Sequence, residues 1–178
     1  MLIALLGLLI LAASSGCSDS GPELRFDTSV PPDLEQLVAT TWIRFLDAHP
    51  GRLGCIGDVT VQAAWELETR AEYRPGDATV VVRVPGTAAT LSDAIVHEFA
   101  HHIEFTCQDH VELRAAFLEA QGMPESADWF EGDAWDAIPS EQYAEATVEV
   151  VLGSRSLRGQ TQLSDGAVDV VRSWAADN

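Results

Sequence analysis

From position 97 the chain reads His97-Glu98-Phe99-Ala100-His101. Residues four apart on an α-helix lie on one face, one turn apart, so a helix here aims both imidazoles at one point. Two neutral imidazoles at that spacing are half of a tetrahedral zinc site. Glu98 then stands beside the metal rather than on it, where its carboxylate takes a proton from an activated water. The same helix has to bury Ile95, Phe99 and Ile103 in a core. A fold that accommodates this stretch must therefore cover one side of a helix and leave the other side approachable. His102 falls among the core-facing positions and reads as a structural histidine rather than a ligand.

The flanking sequence supplies an α+β frame. Asp33 to Ala48 follows Pro31-Pro32 and carries helical apolar faces. His49-Pro50-Gly51 ends that helix, with His49 expected at the surface. Asp58 to Thr69 alternates apolar and polar side chains, the period of a strand with one buried face. Thr79 to Val84 is nearly all valine and reads as a second strand. The turn signal Arg74-Pro75-Gly76-Asp77 between them predicts an antiparallel hairpin. Thr90 is the expected cap of the motif helix, Leu91 to about Thr106, with Asp93 three residues on. Further helices are expected over Asp109 to Gln121, Glu141 to Leu152 and Asp165 to Ala176, the second capped by Ser140 and stopped by Gly153. Gly122 to Ile138 reads as a loop whose Trp129, Phe130 and Trp135 either pack or line a pocket.

The N-terminus reads as an export signal. Leu2 to Ala13 is apolar and uncharged, and too short for a membrane span of about 20 residues. Small residues and then Cys17 follow, a sequence that looks like a bacterial lipoprotein signal. The expected organisation is a signal peptide over 1–16, a lipidated Cys17 with a flexible tether over 17–32, and one folded domain over 33–178. That places the domain outside the cytoplasm, anchored to the membrane through Cys17, or secreted if Cys17 carries no lipid. A net charge of −18 argues against a nucleic-acid partner, since phosphate binding needs clustered Lys and Arg. In an exported domain the two remaining cysteines, Cys55 and Cys107, are expected as a disulfide rather than Cys107 as a thiolate ligand.

A catalytic zinc ion takes three protein ligands and keeps one position for water. The metzincin continuation of the motif is absent, because Glu104 and Cys107 stand at its glycine and last histidine positions. Ser140-Glu141-Gln142-Tyr143-Ala144-Glu145 instead resembles the ligand-helix element of the gluzincin zinc peptidases, most closely their compact single-domain members. The resemblance implies Glu141 as the third metal ligand and Glu145 as the carboxylate that orients His97. It also implies a zincin-like fold, a small antiparallel sheet packed against the motif helix. Peptide or protein substrates would be held along the strand before that helix, taken as Thr79 to Val84, by β-addition. The implied activity is zinc-dependent peptide-bond hydrolysis with Glu98 as general base. Tyr143, Tyr73 and His110 are open candidates for stabilising the oxyanion. The alternative is a lipoprotein that binds zinc without hydrolysis.

Overall fold

A computed structural model describes residues 21–155 and 161–177. The export signal and Cys17 lie outside the described residues. The chain forms β1 (Leu24–Phe26), α1 (Pro32–Ala48), β2 (Val59–Ala64), β3 (Ala71–Arg74), β4 (Thr79–Arg83), α2 (Ala88–Thr106), α3 (His110–Gln121), α4 (Pro139–Leu152) and α5 (Asp165–Ala176). The four strands make one sheet in the order β1-β2-β4-β3. It is an α+β arrangement, with α1 and α2 packed together and α2 against β3 and β4.

The sheet departs from the expected hairpin. β2 runs parallel to β4, in the register Val61 opposite Val80 and Ala63 opposite Val82. β1 is also parallel to β2, and only β3 and β4 are antiparallel. The turn over Arg74 to Asp77 does reverse the chain, but the strand entering it is β3. β2 stops at Ala64, and the segment up to Arg70 crosses over to deliver β3 to the outside of β4. Alternation in Trp65, Leu67 and Thr69 continues the strand period without belonging to the strand, and Trp65 is exposed. The valine run is an inner strand, with Val80, Val81 and Val82 all buried. The first strand also lies inside the stretch expected to be tether: Leu24 to Phe26 pair with Val59 to Val61.

α2 is anchored from the middle of the motif. Phe99 is fully buried against Trp42, 4.8 Å between ring centroids and edge-on, and against Phe45 at 5.5 Å. Ile95, Val96, Ala100 and Ile103 join it in the core. Thr87 rather than Thr90 caps the helix: the Thr90 backbone N–H donates to the Thr87 hydroxyl at 3.3 Å. Likewise α4 starts at Pro139, a favoured first helical residue, so Ser140 is inside the helix and free for another role. Gly122 and Gly153 end α3 and α4 in the left-handed conformation that stops a helix without strain.

Cys55 and Cys107 form a disulfide, with Cα atoms 4.9 Å apart. It joins the segment before β2 to the end of the motif helix. His49 is fully buried, not at the surface; its Nδ1–H donates to the Phe45 carbonyl at 2.7 Å. His110 is fully buried too, ringed by Trp129, Tyr143 and Trp174.

Two outcomes follow for stability. The disulfide spans 52 residues, so a Cys55→Ser/Cys107→Ser variant should lose about 4 kcal/mol in the chain-entropy account, read as a lower denaturant midpoint. Burial lowers both His49 and His110 to about 4. An unfolded chain, with histidines near 6.5, then binds more protons between these values, so stability is full above about pH 6.5 and falls as pH drops toward about 4. The unfolding free energy from urea titrations should decline across that window by on the order of 3 kcal/mol per histidine, and His49→Gln should flatten the decline.

Candidate metal centre

The cleft face of α2 presents His97 and His101, as their spacing requires. α4 crosses behind it and supplies Glu141 from its first turn. The His97 Nε2 and His101 Nε2 atoms are 3.2 Å apart. Glu141 Oε2 lies 2.9 Å from His97 Nε2 and 3.6 Å from His101 Nε2. Four ligands at about 2.05 Å around a tetrahedral zinc ion stand roughly 3.3 Å from each other. The three side chains therefore form one face of a tetrahedron of the right size.

The far nitrogen of each imidazole is committed elsewhere. His97 Nδ1–H donates to Glu145 Oε1 at 3.1 Å. His101 Nδ1–H donates to Glu104 Oε2 at 3.0 Å. These bonds select the tautomer in which both Nε2 lone pairs converge, and they raise ligand basicity. Two lone pairs 3.2 Å apart repel unless a cation or a proton lies between them. Protons also suit the pair: burial works against charge on His97, but the hydrogen bonds to Glu141 and Glu145 raise it to about 10. Burial similarly opposes charge on His101, and Glu104 and Glu141 raise it to about 9. Burial disfavours the ionised Glu141, yet bonds from His101 and His97 hold it well below the usual carboxylate range.

Glu104 went unread as a site residue in the sequence. Its side chain is fully buried. The Ser140 hydroxyl donates to Oε2 at 2.9 Å, and the Trp129 indole N–H donates to Oε1. That network is why burial does not neutralise it: the His101 bond and the other donors pull its pKa below the usual value. The available signal was its position three residues after His101 on the same helix, where side chains are neighbours. Glu145 is held in turn by Arg155, Nη1 to Oε2 at 3.3 Å.

Glu98 lines the same cleft and is 7% exposed. Burial pushes its pKa up, opposed by the charges of His97 and His101. Of the three oxyanion candidates, Tyr73 alone borders the cleft. Its hydroxyl is 3.0 Å from His102 Nδ1, and burial raises it to about 12. Tyr143 and His110 lie in the core behind the centre, so neither takes that role. The cleft over the candidate centre is bordered on one side by Ala71, Glu72 and Tyr73 of β3, whereas the valine strand β4 that was expected there contributes Arg83 and none of its valines. Trp135 stacks on His97 at 5.9 Å, and Phe130 lines the opening, whereas Trp129 is a packing residue. No protein-family model, curated protein or solved structure matches the chain.

The three carboxylates should separate by titration with zinc. Glu141→Gln should strip the metal, while Glu145→Gln and Glu104→Gln should each keep it with affinity lowered about 10–100-fold. Equal affinities in wild type and Glu104→Gln, measured by competition with a chelator, would show that the carboxylate behind His101 does not tune it.

Proposed function

We propose that this protein is a zinc-dependent peptidase of the kind the gluzincin resemblance implies, acting outside the cytoplasm and tied to the membrane through Cys17. The observation that carries the reading is the convergence of His97 Nε2, His101 Nε2 and Glu141 Oε2 beside a buried carboxylate, Glu98, on an open cleft. His97, His101 and Glu141 would hold the metal, and all three side chains line the cleft. Zinc held there would polarise a substrate carbonyl and lower the pKa of a water toward 7.

The chain's own groups do the rest. Glu98 takes the proton of the attacking water and passes it to the leaving amine. A base works best with a pKa near the working pH, and burial moves Glu98 in that direction. Glu145 and Glu104 keep the two imidazoles in one tautomer through the cycle. Among the described residues β3 pairs with β4 alone, and its outer edge borders the cleft, where a backbone hydrogen bond from Tyr73 reaches the Glu98 carboxylate. An extended peptide added to that edge gains backbone hydrogen bonds and lies across the metal centre. The disulfide fits an oxidising, extracytoplasmic setting.

Zinc binding without hydrolysis is the competing reading, and it gives Glu98 no task. Glu98→Gln keeps the shape of the side chain and removes the base. It should retain one zinc per chain and lose peptide cleavage by at least about 100-fold. Wild-type protein that takes up no zinc when loaded without chelators would end the proposal; a Glu98→Gln variant that cleaves at the wild-type rate would remove Glu98 from it.

A further inference from the structure

The cleft, about 810 Å³, has two chemically different ends. Its length follows α2, from Thr90, Asp93 and Ala94 past the metal centre to Phe105. That stretch is about 22 Å long at a rise of about 1.5 Å per residue, room for roughly six or seven residues of extended peptide. At the start of α2 the cleft is polar. Arg70 and Arg83 stand there, each bonded to backbone carbonyls: Arg70 to Pro85 at 3.1 Å and Arg83 to Leu67 at 2.9 Å.

At the far end it is aromatic. Tyr73 and Phe105 have ring centroids 6.0 Å apart, and Phe105 stacks on Phe130 at 5.7 Å. Phe105 is 52% exposed and Phe130 47%. Large apolar side chains left in water are informative when they are grouped in a concave site rather than scattered. Among the described residues, three of the seven exposed large apolar side chains line this one cleft: Phe105, Phe130 and Trp135. Trp135 stacks on the His97 ring beside the candidate centre, and the aromatic surface at the far end is the Phe105–Phe130 pair. The loop that carries Phe130 is held: the Arg114 guanidinium sits 5.1 Å from the Trp129 ring and 5.1 Å from the Phe130 ring. The pair is thus a supported wall.

Strand direction then orients a bound peptide. β3 runs from Ala71, near the start of α2, to Arg74 at the aromatic end, where Tyr73 meets Phe105. Antiparallel pairing is the more stable mode of adding a strand. A peptide antiparallel to β3 enters at the aromatic end, so its residues before the cleaved bond lie against Phe105 and Phe130.

We propose that Tyr73, Phe105 and Phe130 select substrates with an aromatic or bulky aliphatic side chain within the few residues on the N-terminal side of the cleaved bond. This inference rests on the peptidase reading and adds substrate class and polarity to it.

The test uses the zinc-loaded full chain and a mixed peptide pool, with new termini identified by mass spectrometry. Cleavage sites should be enriched in Phe, Tyr, Trp, Leu or Met at one of the few positions before the cut. For two peptides differing only by Phe or Gly there, kcat/KM should differ by at least roughly 10-fold. The ratio should collapse toward unity in Phe105→Ala/Phe130→Ala, with zinc content measured to separate a lost contact from a lost fold. The pool profile of the wild-type protein stands independently of that variant. Cleavage with no such enrichment, or with the apolar residue after the cut instead, overturns the proposal and leaves the peptidase reading in place. Zinc-loaded protein that cleaves nothing in the pool overturns both.

Discussion

The packing of α4 across α2 is the contact on which the candidate centre depends. α2 alone can bring two imidazoles together. α4 and the loop before it bring Glu141 beside both Nε2 atoms, Glu145 behind His97, and Ser140 and Trp129 behind Glu104, which α2 itself carries. Each of these bonds is to a group largely removed from water, where an unpaired carboxylate or imidazole would cost several kcal/mol. The polar seam is therefore satisfied as a whole or not at all. That makes the α2–α4 register narrow: a shift of one turn would take Glu145 away from His97 and Ser140 away from Glu104.

The apolar framework keeps that register. Phe99 sits between His97 and His101 in sequence but on the opposite face, locked against Trp42 and Phe45 of α1. The disulfide ties the end of α2 to the chain entering β2. Together they hold the helix from behind while its other face stays open to the cleft. A site that must hold three donors at roughly tetrahedral spacing needs this rigidity, since ligand groups placed on packed helices vary less than those on loops.

The two carboxylates behind the imidazoles play equivalent parts from different origins. Glu145 comes from the helix that also carries Glu141, one turn later. Glu104 comes from the motif helix itself, one turn after His101. In both cases the carboxylate faces Nδ1 and leaves Nε2 toward the centre, so the pair behaves symmetrically toward a proposed metal. The asymmetry lies in access: β3 and the Phe105–Phe130 wall border one side, and Trp135 covers His97 on another.

How much of this could be read from the chain depends on the range of each relation. The motif helix, its buried Ile95, Phe99 and Ile103, the convergence of His97 and His101, and Glu141 and Glu145 on one helix face all follow from short-range spacing, because a helix converts sequence separation directly into direction. The pairing of Cys55 with Cys107 followed from there being only two cysteines beyond Cys17. Strand pairing has no such local rule. Nothing in Asp58 to Thr69 says that its apolar alternation ends at Ala64, or that four residues, Ala71 to Arg74, will form the edge strand instead; the crossover decides that, and with it the parallel direction of β2 and β4. The same holds for side chains whose role is set by what packs on them. His49, His110 and Tyr143 carry polar groups usually found near water, yet neighbouring helices bury them. Phe130 and Trp129 are adjacent in sequence, and only the path of their loop sends one into the cleft and the other onto Glu104.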